Sequence, residues 1–226
     1  MPTEKTRKRI VDSFMKLLSE QSYASITYAS IAEASDVGLD VLRASYDSKI
    51  DILGAFVSQI DQKVLAEADE DMEEEGARER LFDVLMTRLD FLAPHRAALR
   101  HLRDAVEASP GFGLEIQRIS AKSMEWMLAC AGIELHGLRK VGVTNALTVG
   151  FWRVLKVWLE EEDKGQPKTM AALDQMLREG QDWLRRVDKA QKRLSPFLKR
   201  MNEMRSGRRN RRQPSDEASG GSDYQI

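Results

Sequence analysis

The sequence is short of the residues from which most covalent and metal chemistry is built. Cys130 is the single cysteine among 226 residues, so no internal disulfide can form, and a reducing cytoplasm is the expected compartment. The histidines are His95, His101 and His136, and the first two stand six positions apart, on different faces of a helix, which is no metal-ligand pattern. No apolar run reaches the roughly 18 residues that a membrane span needs. The basic opening MPTEKTRKRI leads into no apolar stretch, so neither a span nor a secretory signal is expected. Period-two alternation never lasts beyond a few residues, which removes strands. No nucleophile–base set, phosphate loop or carboxylate pair stands out, so an enzyme is not expected and no cofactor is implied.

What is present is helix. With 42% hydrophobic and 31% charged residues the chain can bury a core and keep a polar surface. Ile10, Phe14, Leu17 and Leu18 make one stripe; Ile50, Leu53, Val57, Ile60 and Val64 make another, opened by Ser48 three residues before Asp51. Leu81, Leu85, Leu89 and Leu92 follow, stopped by Pro94. Helices are then expected over 95–108, 116–131, 135–161 and 168–200, broken at Ser109-Pro110-Gly111 and again at residues 163–167. The fold class is all-α.

Charge divides the chain further. Residues 67–75, EADEDMEEE, hold seven acids and no base, while residues 199–212 hold seven bases against Glu203, a net of +6. The expected domains are a helix-turn-helix head over 1–66, a larger helical body over 67–200, and a tail over 201–226, basic then polar and expected to be disordered. The tail is a candidate accessory nucleic-acid contact.

The stretch IAEASDVGLDVLRASYDSK (31–49) reads as two short helices joined by a tight turn. The first would run from about Thr27 to Ser35 with Ile31 and Ala34 inward. Asp36-Val37-Gly38 would turn, aspartate and glycine tolerating left-handed backbone and Val37 plugging the angle. A second helix would run from Leu39 to Ser45, anchored by Leu42 and Tyr46. This is the pattern that sets a helix into the DNA major groove.

Arg7 to Val64 resembles the N-terminal domain of the TetR family of transcriptional repressors. That family carries an Ile-Ala pair, an apolar residue after the turn, an aromatic closing the recognition helix and Ser-Lys opening the next. Here Ile31-Ala32, Val37, Tyr46 and Ser48-Lys49 match in order and spacing, as does Tyr23. The sequence departs where the family has glycine (Asp36), serine or threonine (Gly38), a small polar residue (Val41) and tyrosine (Arg43). Residues 27–49 carry Arg43 and Lys49 against Glu33, Asp36, Asp40 and Asp47, a net of −2, which is poor for a surface facing phosphates.

By position on the second helix, Leu39, Asp40 and Arg43 are the candidates to meet base edges. The resemblance implies phosphate contacts from Thr27, Tyr28 and Arg43, and a backbone clamp from Lys49. The N-terminal arm, with Lys5, Arg7, Lys8 and Arg9, is placed to reach the backbone. In the body, Met86, Met124, Met127, Phe151 and Trp152 are candidates to line a cavity for a small apolar effector. The resemblance also implies a homodimer through the last two helices, with Trp158 and Trp183 beside Leu155, Leu159, Leu173, Leu177 and Leu184. The function it implies is a dimeric regulator, a repressor released from an operator on double-stranded DNA by that effector. A lipid or isoprenoid binder on the same fold, with no DNA, is the alternative, as in a ubiquinone-biosynthesis accessory family.

Overall fold

A computed structural model describes residues 2–67 and 75–186. The expectations for the acidic run at 68–74, the end of the last helix and the tail lie outside the described residues. Contacts divide the chain into Met1–Gly180 and Gln181–Ile226; of the second unit only 181–186 are described, and these are helical.

The first unit holds α1 (Glu4–Glu20), α2 (Tyr28–Ala34), α3 (Leu39–Ser45), α4 (Lys49–Ala66), α5 (Ala77–Leu92), α6 (Arg96–Ala108), α7 (Pro110–Cys130) and α8 (Gly137–Glu160). A ninth helix, α9, starts at residue 167. No strand occurs among the described residues, and no described helix is long and apolar enough to cross a membrane.

Side-chain caps set several helix starts. Thr3, Thr27, Ser48 and Ser109 each accept a backbone N–H in the first turn of α1, α2, α4 and α7. The last of these corrects a sequence expectation. Ser109-Pro110-Gly111 does end α6 at Ala108, as expected, but α7 starts at once at Pro110 rather than at 116, because proline at the first helical position lacks only an N–H that would have gone unpaired. At the other end of α7, Gly132 takes φ +66° and its N–H bonds to the Ala129 carbonyl, a stop that suits glycine best.

The core gathers stripes from α1 (Ile10, Phe14, Leu18), α4 (Leu53, Ile60, Val64), α5 (Leu85, Leu89) and α7 (Met124, Met127). The α4 stripe is broader than the spacing indicated. Ile52, Phe56 and Asp61 are buried as well, because α4 meets α1, α5 and α7 on different sides. α4 therefore packs on helices before and after the boundary expected near residue 66, and α1 also packs on α6. There His101 Nδ1 lies 2.7 Å from the Leu18 carbonyl and, facing an acceptor, carries the proton.

Two arginines of α6 finish α8. Arg96 donates to the Glu161 and Trp158 carbonyls and Arg100 to Leu159, satisfying acceptors that a helix end leaves open. Glu161 in turn starts α9. Its carboxylate accepts from the Lys168 and Thr169 N–H groups, each at 2.8 Å, and from the Thr169 hydroxyl at 2.6 Å. Burial alone would raise this carboxyl; the hydroxyl and the two amides outweigh it and hold it below its ordinary value.

Candidate nucleic-acid interface and body cavity

The bend between α2 and α3 is built by one residue. Asp36 takes φ +48°, and the Val37 N–H returns to the Ala32 carbonyl at 3.0 Å. Gly38 is extended, at φ −71°, and caps α3 without a side chain. The left-handed backbone expected of both aspartate and glycine is thus carried by aspartate alone. Ile31 is fully buried, whereas Ala34, expected inward, is exposed, because α2 turns only Ile31 and Ala32 to the core. Val37 is half-buried against the core, filling the angle.

On α3, Leu42 and Ser45 face inward with Tyr46 behind them, and Leu39, Asp40 and Arg43 face solvent. Leu39 is 56% exposed and Tyr28, at the start of α2, 49%. These two large side chains stand bare on the two helices that the tight turn joins. The hydroxyl of Thr27 is committed to Ser30, both through its N–H and side chain to side chain.

The cations of the head are largely engaged by the protein itself. Arg7 Nη1 donates to the Ser45 carbonyl at 2.5 Å and its guanidinium lies over the Tyr46 ring, 4.4 Å from the centroid. Arg9 Nη2 donates to the Asp36 carbonyl at 3.1 Å. These two residues, expected to act from a free arm, sit within α1 and clip it to the turn and to the end of α3. Arg43 is paired with Asp47 one turn on, both strongly exposed, an arrangement that solvent makes weak and exchangeable.

Lys49 is turned furthest from solvent. Its ammonium donates to the Tyr23 and Ile26 carbonyls at 3.1 and 2.8 Å and lies 4.3 Å from the centre of the Tyr23 ring. Desolvation lowers its pKa. It fastens the loop before α2 onto α4, with two of its three donors used.

The body encloses a cavity of about 240 Å³ between α4, α5, α6, α7 and α8, lined among others by Phe56, Leu99, Ile116, Met124, Phe151 and Trp152. Met86 and Met127, expected in its lining, are not part of it. Met127 is fully buried and faces Arg88, while Met86 packs at the edge of the core.

Beside the cavity lies a buried ion pair that the sequence stripes did not disclose. Arg88 Nη1 donates to Asp61 Oδ1, and the Ser123 hydroxyl donates to the same oxygen at 2.7 Å. Burial pushes the Arg88 guanidinium down from its ordinary value, and Asp61 opposes the shift. The missed signal was a charge standing on an apolar stripe: Arg88 falls in step with Leu81, Leu85 and Leu92, and Asp61 with Leu53 and Val64.

The faces expected to pair two copies are mostly spent within the chain. Trp158 is 0% exposed, and Leu155, Leu159, Leu173 and Leu177 are buried; Trp183 and Leu184 fall in the second unit. Exposed apolar side chains stand elsewhere, with Leu138, Val141 and Val149 along one face of α8 and Trp126 on α7. A Lys140–Glu125 ion pair at 2.7 Å brings the two helices together beside Val141 and Trp126.

No protein-family model matches the sequence, and no curated protein matches it. Solved structures match. The chain is similar to a TetR transcriptional regulator from Nitrosomonas europaea at 22% identity and a TM-score of 0.61, over 78% of this chain and 98% of that one. A TetR transcriptional regulator from Rhodococcus sp. matches at 18% identity and 0.55, over 78% and 96%. A TetR-family regulator from Streptomyces coelicolor matches at 14% and 0.51, over 86% and 89%. The fold is that of TetR transcriptional regulators.

Proposed function

With the TetR-regulator fold as the starting point, we propose that the chain is a dimeric DNA-binding regulator, a repressor whose hold on its operator is weakened by a small molecule in the body. The observation that carries the reading is the outward face of α3. Its anchors, Leu42 and Ser45, are buried, while Leu39, Asp40 and Arg43 are bare. Leu39 suits a thymine methyl, and Arg43 a phosphate or guanine once it leaves Asp47. Thr27 and Tyr28, exposed at the start of α2, add polar contacts to phosphates, and the remaining N–H groups of Arg7 and Arg9 supply backbone charge. Lys49 we assign to holding the loop rather than to touching DNA.

Two heads are needed to read two half-sites. The face we assign to the second copy is Leu138, Val141 and Val149 with Trp126, four large apolar side chains left in water on adjoining helices. The cavity supports effector control because α4 both lines it and carries the head. A ligand acts there only by binding one arrangement of α4 better than another.

The net charge of −2 across 27–49 and the internal engagement of Arg7, Arg9 and Lys49 favour the second reading, a lipid or isoprenoid binder that does not touch DNA. Fragmented genomic DNA incubated with the protein at low salt, washed and sequenced, separates the two. Enrichment of one palindromic site is the expected result; retention of no particular sequence would refute regulation and leave the binder.

A further inference from the structure

The wall of the body cavity is not uniformly apolar. Arg88 stands in it, only 4% exposed. Its Nη1 is occupied by Asp61 and by Met127 Sδ at 3.8 Å, but its Nε has no hydrogen-bond acceptor anywhere in the described chain. A donor removed from water with nothing to donate to is costly, and cores avoid it unless something else arrives to accept. Gln117, Ser120 and Thr148 are the other polar residues of the lining, against a majority of aliphatic and aromatic ones. At about 240 Å³ the space exceeds the roughly 150 Å³ that accommodates benzene, which scales to a ligand of about ten non-hydrogen atoms.

The charge of the ligand follows from what Arg88 already holds. Arg88 and Asp61 cancel, and Ser123 adds a neutral hydroxyl to the same carboxylate. A carboxylate ligand would bring an uncompensated negative charge into a buried neutral pair. A plain hydrocarbon would leave Nε as it is. An uncharged oxygen acceptor, such as a ketone or an ether, completes the guanidinium and adds no charge.

We propose that the cavity takes an uncharged, mainly apolar molecule of about this size that carries one hydrogen-bond-accepting oxygen, recognised by Arg88. The assignment rests on the reading of the cavity as the effector site and specifies its ligand class. It also gives the ligand a route to the head. The guanidinium that receives the oxygen holds Asp61 of α4 with its Nη1, and α4 begins three residues after Tyr46, at the foot of α3.

Calorimetric titration of the full-length protein, without DNA, tests this using butylbenzene, butyrophenone and 4-phenylbutyrate, which share a phenyl ring and short chain and differ in their oxygens. Butyrophenone is expected to bind about tenfold more tightly than butylbenzene, the worth of one net hydrogen bond, and 4-phenylbutyrate more weakly than the ketone. The paired variant Asp61→Leu/Arg88→Met leaves no charge stranded. It should retain butylbenzene binding and lose the preference for the ketone. Equal affinity for ketone and hydrocarbon, a tighter carboxylate, a preference that survives in the paired variant, or binding of none of the three would each overturn the assignment. With no DNA present, these outcomes do not depend on whether the head reads an operator. A selected palindrome in the genomic capture would leave the regulator reading standing even if all three compounds failed.

Discussion

Removing one half of the Arg88–Asp61 pair should damage the fold far more than removing both halves. Arg88 and Asp61 are 4% and 6% exposed, so water cannot make up for a missing partner. Asp61→Leu strands a guanidinium whose Nε already lacks an acceptor, and it also takes the acceptor from the Ser123 hydroxyl. Breaking a buried pair this way costs about 3–5 kcal/mol. For a unit of this size, that lowers the melting temperature by roughly 6–20 °C. Arg88→Met leaves a carboxylate that keeps Ser123 and can be neutralised by a proton, whereas arginine cannot shed its own, so this variant should be the milder of the two. The paired variant strands neither charge and should melt within a few degrees of the parent. Thermal unfolding of all four proteins, followed by circular dichroism at neutral pH, completes a double-mutant cycle. Additive losses, with the paired variant the least stable, would refute the reasoning, as would a single variant that melts with the parent.

Arg43→Ala removes an exposed side chain whose partner is a weak surface pair, so it should leave the melting temperature unchanged while lowering operator affinity roughly tenfold in a gel-shift titration; unaltered affinity would dismiss the docking of α3. For Glu161, the folded carboxyl lies below its ordinary value of 4.5, so its stabilisation is fully present above that pH and lost as pH falls through the lowered value. Glu161→Gln should therefore show a shallower drop in melting temperature below pH 4.5 than the parent; parallel curves would count against the carboxylate as the cap of α9. Val141→Glu places a charge on the exposed apolar face of α8 and should yield a folded monomer by sedimentation. A persisting dimer would move the interface to another face.

The helices were readable because their determinants are local. Thr27 and Ser48 cap within a turn of themselves, and the spacing of Ile10, Phe14 and Leu18 or of Leu81, Leu85, Leu89 and Leu92 already names the buried side. The bend at Asp36 was legible for the same reason, as was the division of α3 into anchors and bare positions. Pro110 was read as the stop it is for α6 but not as the start of α7, because proline both stops a helix and opens one, and the second role shows only in the Ser109 cap.

The site was legible only in outline. That Arg7, Arg9 and Lys49 are cations was plain, but their acceptors lie 23 to 38 residues away and follow no spacing rule. Trp158 and its neighbouring leucines had the composition of an interface, yet an apolar stripe does not say whether its partner is the same chain or another. Packing within the chain, where α8 meets α6 and α7, claimed them and left Leu138, Val141 and Val149 in water instead. By itself, the sequence determined that the chain is helical, where most helices begin, which stripe they hide and that two short helices meet at a sharp turn, since these depend on neighbours within about four positions. Tertiary structure alone decided which charges are buried together, which cations remain free and where a cavity opens, because each depends on groups that the chain brings together only on folding.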